Sequence, residues 1–427
     1  MPAPKAIAPA PRLLVYGLNF WPELTGVGKY TGEMCQWFAE RGHTVEAVTA
    51  PPYYPAWQVS EGYRRFAYQT ETWGAQKNLH VLRCPLWVPR QPRTSSRLLH
   101  LASFALSSIP ALWAALRRRP DLMMVIVPTL FVAPAALALA RAYGVRTWVH
   151  VQDFEVDAMF GLGMGGGQGR ARQLVYAVES LLLRQFDFAS SITPAMVERL
   201  VAKGVKRDRC VLFPNWVDLA AVFPTTGANA FRADLGLGDD DVAVLYAGNM
   251  GEKQGLELVI EVAQALKARP HIRFVLAGDG AARARLRQAS TGLPNVQWLP
   301  LQPMERLNEL LNCADIHVLP QRADAADLVM PSKLTGMLAS GRAIVGTAAV
   351  GTQLGGVLDR VGRRTAPGDV AALAAAIESL AADPASRLAL GRAGRSYAEE
   401  QLAVDHVMQQ LLARILNITG RPAGKSK

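Results

Sequence analysis

The amino-acid sequence predicts an α/β fold built from two doubly wound parallel sheets. With 427 residues, the chain is too long for one ordinary domain. Short apolar runs of strand length alternate with amphipathic helical stretches in the first half, and the same alternation begins again near Val242. Strands that alternate with helices form parallel sheets covered by helices. We therefore expect two similar Rossmann-like domains that face a central cleft.

The first domain is expected to span 12–222. It opens with a strand, a glycine-containing loop and a helix that begins near Gly28. One face of that helix is apolar, carrying Val27, Tyr30, Met34, Trp37 and Phe38. The strand-like runs of this half are 12–18, 44–49, 122–127, 147–151 and 211–213.

The second domain is expected to span 241–400, after a loose linker. Its strand-like runs are 242–247, 274–277, 296–298, 316–319 and 343–346. Periodicity predicts helices over 371–382 and 402–416. A C-terminal helix, 401–418, is expected after the second domain, with tails at 1–11 and 419–427.

Composition narrows the class of protein. Half of the residues are hydrophobic and 19% are charged, which is typical of a globular chain. The net charge of +11 favours an anionic partner. Four cysteines far apart in the sequence indicate neither a disulfide framework nor a zinc site.

The N-terminus lacks an apolar run of signal-peptide length before Pro11, so a cytoplasmic location is expected. The uncharged stretch 122–140 is long enough to cross a membrane. Pro128 and Pro134 divide it, however, into a β-rich piece and a helix-forming piece. We predict a buried strand, a loop and a helix there.

The best-specified candidate site follows the strand 242–247. Gly248 and Gly251 let backbone N–H groups approach a ligand, and the helix that begins after Gly255 favours an anion at its N-terminus. Lys253 would be disfavoured at that position unless an anion were bound. Asn249, Gly251 and Lys253 are therefore candidate phosphate-binding residues, and a surface lysine paired with Glu252 or Glu257 is the alternative.

Three further segments are candidate walls of the same ligand site. Gly278 begins a glycine turn after the strand 274–277, although a purely structural turn explains it equally well. Ser332 is expected to cap a helix, with Lys333 beside it and Asp327 in the preceding loop. In the first half, Gly26 and Gly28 lie between the first strand and the first helix and are candidate ligand-binding residues. A tight turn without a ligand is the alternative.

A histidine and several carboxylates follow the strand 147–151. His150 and Asp153 are candidates for acid–base chemistry or for binding sugar hydroxyls. A single buried histidine is more often structural, and that alternative stays open for His150.

Three segments together resemble one large enzyme family. They are GLNFWPELTGVGKYTGEMCQWFAERGHTVEAVTAPPYYP, GNMGEKQGLELVI and DLVMPSKLTGMLASGRAIV. They are similar to retaining GT4-class glycosyltransferases of the GT-B fold, above all those of colanic-acid-type exopolysaccharide and O-antigen assembly. The resemblance extends over 12–418.

The resemblance implies roles for the two halves. The second half would bind a nucleotide-sugar donor and the first half the glycan acceptor. Lys253 would supply positive charge to the leaving diphosphate, and neither a metal nor a cofactor is implied. The donor would be GDP-fucose or, next, a UDP-linked N-acetylated 6-deoxysugar, and the acceptor would be lipid-linked.

The chain departs from the family pattern at four positions. Asn249 stands where an arginine usually accompanies the lysine, and Gln152 stands where the first-domain histidine is usual. Leu328 and Gly336 replace two glutamates, the second of which binds ribose in many relatives. Asp327 is a candidate substitute, one residue away.

A membrane surface is a further expected partner. The stretch LLHLASFALSSIPALWAAL is flanked by Arg90, Arg93 and Arg97 on one side and by Arg117, Arg118 and Arg119 on the other. Such a helix is suited to an anionic bilayer surface. We expect peripheral attachment to the inner face of the plasma membrane, with a buried core helix as the alternative.

Two other functions remain open, and two are excluded. A nucleotide-sugar 2-epimerase would share the fold, and a non-catalytic partner in polysaccharide assembly would tolerate the missing glutamates. No basic stripe interleaved with aromatic residues is present, which excludes a nucleic-acid binder. The loop after Leu18 lacks the GxGxxG of a dehydrogenase.

Overall fold

The fold was analysed in a computed structural model, which describes residues 10–23, 26–90, 94–128, 130–154, 156, 169–251, 254–322 and 331–420. The chain forms two compact units. The first comprises Met1–Pro214 with Met408–Lys427, and the second comprises Asn215–Val407.

The first unit is built on an eight-stranded sheet. Its strand order is β3-β4-β2-β1-β5-β6-β7-β8, and every neighbouring pair is parallel except the antiparallel pair β3 and β4. The order reverses at β1, which lies between β2 and β5. The strands are β1 Leu13–Gly17, β2 Val45–Thr49, β3 Gln69–Trp73, β4 Leu79–Arg83, β5 Leu122–Val127, β6 Arg146–Val151, β7 Phe188–Ser191 and β8 Cys210–Leu212.

Helices cover this sheet because each buries one apolar stripe. The helix Gly26–Glu40 buries the predicted side chains Tyr30, Met34, Trp37 and Phe38. The other described α-helices of the first unit are Thr94–Ser107, Ile109–Leu116, Ala133–Tyr143, Arg170–Leu183 and Pro194–Ala202. The uncharged stretch 122–140 contains strand β5 and most of a separate helix, as its two prolines predict.

The second unit is built on a six-stranded parallel sheet. Its strand order is β11-β10-β9-β12-β13-β14, and each neighbouring pair is parallel. Here the order reverses at β9, which lies between β10 and β12. The strands are β9 Val242–Ala247, β10 Ile272–Ala277, β11 Val296–Leu299, β12 Ile316–Leu319, β13 Ala343–Thr347 and β14 Arg363–Thr365.

The helices of the second unit pack on both faces of that sheet. The predicted apolar face 256–266 is buried, with Val259 1% and Ala263 0% exposed. The described α-helices of this unit are Ala230–Asp234, Glu257–Ala265, Arg283–Ala289, Leu307–Asn312, Lys333–Ala339, Gln353–Val361, Val370–Ala382 and Pro384–Gln401.

The C-terminal helix expected over 401–418 is present as Val404–Thr419. It begins in the second unit and ends in the first. Ile415 is fully buried and lines a small cavity with Leu13, Met34 and Leu122 of the first unit. The apolar face of the helix therefore completes the core beside β1 and β5. Apolar periodicity alone did not indicate which core it would join.

The predicted strands are present, with ends that differ by one or two residues. The hairpin of β3 and β4 was missed because QTETW is mostly polar and alternates between half-buried and exposed residues. The first unit ends at Pro214, whereas 222 was expected, because Val217 and Val222 belong to a core cluster of the second unit.

A buried ion pair fastens two helices of the first unit. Lys203, which follows the helix Pro194–Ala202, forms a salt bridge with Glu179 of Arg170–Leu183, and their side chains are only 7% and 4% exposed. The ammonium also lies over the rings of Phe154 and Tyr176, at 5.3 and 4.8 Å from their centroids. Removing one partner of such a pair leaves a buried charge without compensation.

We expect Lys203→Met to lower the free energy of unfolding of the first unit by roughly 3–5 kcal/mol. Replacing Glu179 by Met as well should recover most of the loss, because no buried charge then remains. Urea unfolding followed by tryptophan fluorescence measures both. Arg207→Ala is the control: it breaks an exposed pair with Glu198 and should change little. Equal stability of Lys203→Met and wild type would contradict the prediction.

Candidate functional site

The point where strand order reverses in the second unit is the natural place for a ligand. After the carboxyl end of β9 the chain continues to β10, which is the neighbour of β9 on one side in the sheet. The neighbour of β9 on the other side is β12. Loops that leave neighbouring parallel strands in opposite directions open a crevice between them. The loop from Gly248 and the start of the helix at Lys333 border this crevice.

The loop after β9 is joined to the loop after β10 by backbone hydrogen bonds. Gly248 N donates to Ala277 O at 2.9 Å and Met250 N donates to Asp279 O at 2.8 Å. Ala282 N donates to Met250 O, also at 2.9 Å. The two glycine loops therefore lie side by side at one edge of the sheet.

Gly278 is required by this packing. Its φ is +143°, and a Cβ atom there would lie 2.0 Å from the carbonyl oxygen of Gly248. Close approach of two backbones accounts for this glycine without a ligand. The donor-binding assignment of Gly278 stays a prediction, while the structural alternative has a direct explanation.

Lys333 is the cation that the structure brings to the crevice. Its ammonium donates a hydrogen bond to the hydroxyl of Tyr246 in β9 and lies 4.1 Å from the centroid of that ring. The Tyr246 hydroxyl in turn donates to the carbonyl oxygen of Asn249 at 2.6 Å. The Lys333 Cε atom would be 3.3 Å from a Cβ at position 248, a tight contact, and the φ of +137° at that position also favours glycine.

Burial lowers the pKa of Lys333 to about 7, since the ammonium is poorly solvated. No carboxylate among the described residues offsets this effect. An ammonium that is half-buried without a counter-charge is suited to bind an anion.

Of the other residues predicted for this site, Lys253 and Asp327 lie outside the described residues. Asn249 is in the loop and accepts from Tyr246 through its carbonyl oxygen. A Cβ at Gly251 would be 2.8 Å from the Gln254 side-chain oxygen, so local packing favours glycine there.

Ser332 does not cap the helix, contrary to expectation. The helix does begin at Lys333, but Ser332 already has helical backbone angles, φ −59° and ψ −26°, and its side chain makes no capping hydrogen bond. Its hydroxyl is not turned toward the free N–H groups, since capping needs an extended backbone at that position. Ser332 is exposed.

In the first unit, Gly26 and Gly28 stand at the start of the first helix, beside a buried glutamate. Gly26 has φ +62°. A Cβ at Gly28 would be 2.5 Å from the Glu23 carboxylate, so glycine is needed for that side chain to fit. The tight packing explains Gly28 and leaves donor binding by both glycines as a prediction.

Glu23 is a residue that sequence reasoning missed. It is 3% exposed, and its carboxylate accepts from the backbone N–H groups of Tyr53 and Tyr54, each at 3.0 Å, and from the Asn19 amide at 2.9 Å. Burial raises its pKa above the usual value. An acid directly after Pro22 in a glycine-containing loop was the only signal in the sequence.

His150 lies inside β6 and is 2% exposed. Its Nδ1 atom is 2.8 Å from the Ser190 hydroxyl, which also accepts from the Trp148 indole, and its ring lies 4.8 Å from that of Phe213. Burial lowers its pKa to about 3, so the imidazole is neutral at physiological pH. These contacts support the structural alternative, and a catalytic role stays a prediction.

Asp153 follows β6 at the carboxyl edge of the sheet and is half-buried. It is close enough to Tyr54 to help raise the pKa of that phenol, after the larger effect of burial. Over the described ranges, no group of three His, Cys, Asp or Glu side chains is arranged to hold a metal ion.

Two family models match the chain in sequence. The model described as "Glycosyl transferase 4-like domain" matches residues 25–216, and "Glycosyl transferases group 1" matches 241–383. WcaI of Escherichia coli K12, provisionally assigned as a colanic acid biosynthesis glycosyl transferase, is 44% identical over 411 residues. That match covers 94% of this chain and 98% of WcaI. The chain belongs to the GT-B glycosyltransferases.

Solved structures agree with this fold. Sucrose-phosphate synthase from Thermosynechococcus elongatus has a TM-score of 0.73 at 17% identity, covering 95% of this chain and 99% of its own. HepE from Anabaena, in complex with UDP and glucose, has a TM-score of 0.67 at 14% identity, with the same coverages. At such identities the likeness concerns the fold alone.

The glycosyltransferase also exposes an apolar surface on its first unit. The predicted apolar helix is two helices, Thr94–Ser107 and Ile109–Leu116, with Pro110 early in the second. The stretch Ser95–Leu116 is long and apolar enough to span a membrane by length and composition, a test that soluble core helices also pass. The exposed apolar side chains on it are Leu98, Leu99, Leu106, Ile109 and Trp113.

These side chains form a stripe. Leu99, Leu106 and Trp113 recur at seven-residue spacing and are 63%, 69% and 45% exposed. Arg117 lies 4.8 Å from the Trp113 ring, and Arg97 is exposed at the other end. The alternative of a fully buried core helix is therefore not what the structure shows.

We expect Lys333→Met to stabilise the ligand-free glycosyltransferase near neutral pH. The pKa of Lys333 is lowered in the folded state, so the cost of holding its charge is full below about pH 7 and vanishes as the pH rises toward about 10. The variant should melt above the wild type at pH 6, and the difference should shrink by pH 9.5. Thermal melts across this range measure it.

Lys267→Met, at an exposed lysine of the same unit, is the control and should show no such dependence. A difference for Lys333→Met that stays constant from pH 6 to 9.5 would contradict the titration.

Proposed function

We propose that this glycosyltransferase transfers a sugar from a nucleotide-sugar to a lipid-linked glycan during exopolysaccharide synthesis of the colanic-acid type. The observation that carries the proposal is Lys333, whose ammonium lies without a counter-charge from the described residues at the crevice where strand order reverses. The 44% identity to WcaI over nearly its whole length supports the pathway. Transfer would proceed with retention of anomeric configuration and without a metal.

The diphosphate of the donor would lie against Lys333 and Lys253. The family usually supplies an arginine at position 249, where this chain has asparagine. Lys333 would provide the second positive charge from the other side of the crevice. Each charge-assisted hydrogen bond to the departing diphosphate contributes roughly 1.5–3 kcal/mol. That is on the order of tenfold to a hundredfold in rate, provided that the bond strengthens in the transition state.

The donor we propose first is GDP-fucose, and a UDP-linked N-acetylated 6-deoxysugar is second. Where relatives have a ribose-binding glutamate, this chain has Gly336, and a Cβ atom there would lie 3.3 Å from the Leu311 side chain. The ribose would therefore need another partner, for which Asp327 is the candidate.

The acceptor would be presented at a membrane surface. The exposed stripe of Leu99, Leu106 and Trp113 is apolar, and arginines flank it at both ends. Apolar side chains enter the bilayer interface while arginines attract anionic head groups. We propose peripheral attachment to the cytoplasmic face of the plasma membrane.

Two other functions predict different products. A 2-epimerase would interconvert donor sugars without an acceptor, and a non-catalytic partner would not bind nucleotide-sugar at all. Lys333 favours an anion-binding site over the second of these. Product analysis with and without acceptor distinguishes transfer from epimerisation.

We expect Lys253→Ala and Lys333→Met each to lower turnover of the donor at least tenfold, since each removes a charge from the leaving diphosphate. The donor is first identified by thermal stabilisation with GDP-, UDP- and dTDP-linked sugars, and turnover is then measured as nucleotide release. Lys267→Ala, at an exposed lysine of the same unit, should retain wild-type turnover. Near-normal turnover in Lys253→Ala or Lys333→Met would remove that lysine from the mechanism.

Replacing Arg117, Arg118 and Arg119 by Ser should weaken binding to vesicles containing phosphatidylglycerol. Each arginine contributes about 1 kcal/mol near an anionic surface, so the three together account for roughly a hundredfold in affinity. Vesicle sedimentation measures the loss, and in cells the enzyme should move to the soluble fraction.

Neutral phosphatidylcholine vesicles are the control, on which wild type and variant should bind equally weakly. Unchanged binding to phosphatidylglycerol vesicles would show that these arginines do not contact the lipid.

A further inference from the structure

The helix Arg170–Leu183 of the first unit carries exposed apolar side chains. Leu174, Val178 and Leu181 are 65%, 47% and 55% exposed. Their spacing of four and three residues places them on one face of the helix. A helix on the surface of a globular domain normally buries such a face and exposes its charged residues. These three side chains, named the 174–181 stripe below, are therefore a surface that needs a partner.

The other side of this helix is buried, and it holds the only acid of the helix. The carboxylate of Glu179 is buried in its ion pair with Lys203, and the Tyr176 ring also lies against that ammonium. Turning the 174–181 stripe inward would break this pair and leave a buried charge without compensation. The ion pair therefore fixes the helix in an orientation that keeps its apolar stripe outside.

Arginines stand at both ends of the stripe. Arg170 precedes Leu174 by four residues and Arg184 follows Leu181 by three, so helical spacing places both on the side of the stripe. Both arginines are exposed, and the Arg184 Nε atom donates to Ser180 O at 2.9 Å. Apolar side chains between arginines are suited to the interface of an anionic bilayer, where head-group phosphates pair with guanidinium groups.

The same charges disfavour a second copy of the chain as the partner. If two such helices packed antiparallel, Arg170 of one copy would face Arg184 of the other. If they packed parallel, each arginine would face its own counterpart. Like charges oppose each other in both arrangements, and Glu179, the one acid of the helix, is buried on the opposite side. An anionic bilayer surface satisfies the stripe and both arginines together.

The helix lies on the same face of the eight-stranded sheet as Thr94–Ser107 and Ile109–Leu116. The connections from β4 to β5 and from β6 to β7 both run toward β8 in strand order. Crossovers between parallel strands are right-handed, so connections that run in one direction place their helices on one face. In agreement, Ile109–Leu116 packs against Ala133–Tyr143, which covers β5 and β6. A bilayer that contacts both apolar surfaces therefore lies on one side of the unit.

We propose that the 174–181 stripe, with Arg170 and Arg184, is a second lipid-contacting surface that enters the interface of an anionic bilayer. This inference rests on the proposed peripheral attachment, to which it adds a contact separate from Thr94–Ser107 and Ile109–Leu116. Two contacts on one folded unit act together, because binding through the first holds the second close to the lipid. They also fix the orientation of the unit on the membrane.

The test replaces the stripe by side chains that keep the helix. The triple variant Leu174→Gln, Val178→Gln, Leu181→Gln removes the apolar contact, and glutamine is a good helix former. Its affinity for phosphatidylglycerol vesicles, measured by sedimentation, should fall about tenfold or more. Its melting temperature without vesicles should equal that of the wild type. Leu301→Gln with Leu388→Gln, at exposed leucines of the second unit, is the matched control and should bind as the wild type does.

A fluorescent label shows whether the stripe itself enters the lipid. Cys35, Cys84 and Cys313 are buried and Cys210 is half-buried, so Cys210→Ser gives a background with little thiol reactivity. Bimane attached at Leu181→Cys in that background should be quenched by vesicles of phosphatidylglycerol brominated in the acyl chains. The same label at Leu388→Cys should not be quenched. No quenching at position 181 with vesicle-bound enzyme would overturn the inference.

The outcomes separate this surface from the proposed attachment. If the triple variant loses affinity while Ser at 117, 118 and 119 changes nothing, the second surface stands and attachment through those arginines fails. If the triple variant binds like the wild type, the second surface is overturned, whatever the arginine variant does. Wild-type enzyme that binds no vesicle overturns both.

Two further results would assign the stripe to another partner and overturn the inference. A dimer of the wild type that sedimentation velocity detects and the triple variant abolishes would show that a second copy covers the stripe. A melting temperature several degrees lower in the triple variant would show that the stripe packs against the chain itself.

Discussion

A lysine ammonium held over a tyrosine ring, without a carboxylate among the described residues, is the interaction on which the second unit's ligand site depends. Tyr246 in β9 accepts from Lys333 and donates to the Asn249 carbonyl, so one side chain links the cation to the loop after β9. Gly248 has φ +137°, and a Cβ atom there would lie only 3.3 Å from the Lys333 side chain. A buried charge without a counter-charge is unfavourable until an anion binds, which makes the site suited to an anion.

This arrangement gives a physical account of one departure from the family pattern. A cation is missing at Asn249, but electrostatic stabilisation of a diphosphate depends on where charge lies in space and not on which segment supplies it. Lys333 comes from the far side of the strand reversal and reaches the same crevice. The two absent glutamates have no such substitute among the described residues, since Gly336 packs closely toward Leu311 and Asp327 lies outside that part of the chain.

The first unit has the same kind of fold, but the loops at the carboxyl edge of its sheet carry different residues. Its loops after β1 and β2 are joined by a buried carboxylate, Glu23, where the second unit has a cation. The exposed group there is an aromatic ring, Tyr54, and its charged neighbours include acids. The corresponding loops of the two sheets therefore differ in chemistry, with a cation in the second unit and a buried carboxylate in the first.

Much of the fold was determined by the sequence itself, because buried parallel strands are continuous apolar runs and their helices carry one apolar stripe. β5 and β9 were predicted for this reason. The glycine loop at 248–251 was predicted from its residues, and the φ of +137° at Gly248 favours glycine there. The pattern of apolar residues along the chain does not show which distant segments come into contact. Only the tertiary structure placed Lys333 against Tyr246, 87 residues apart, and turned Glu23 toward the amides of Tyr53 and Tyr54. The tertiary structure also shows that Ser332 does not cap its helix and that His150 is buried. The sequence could not predict either, because burial and hydrogen-bond direction depend on neighbours that a local stretch of sequence does not contain.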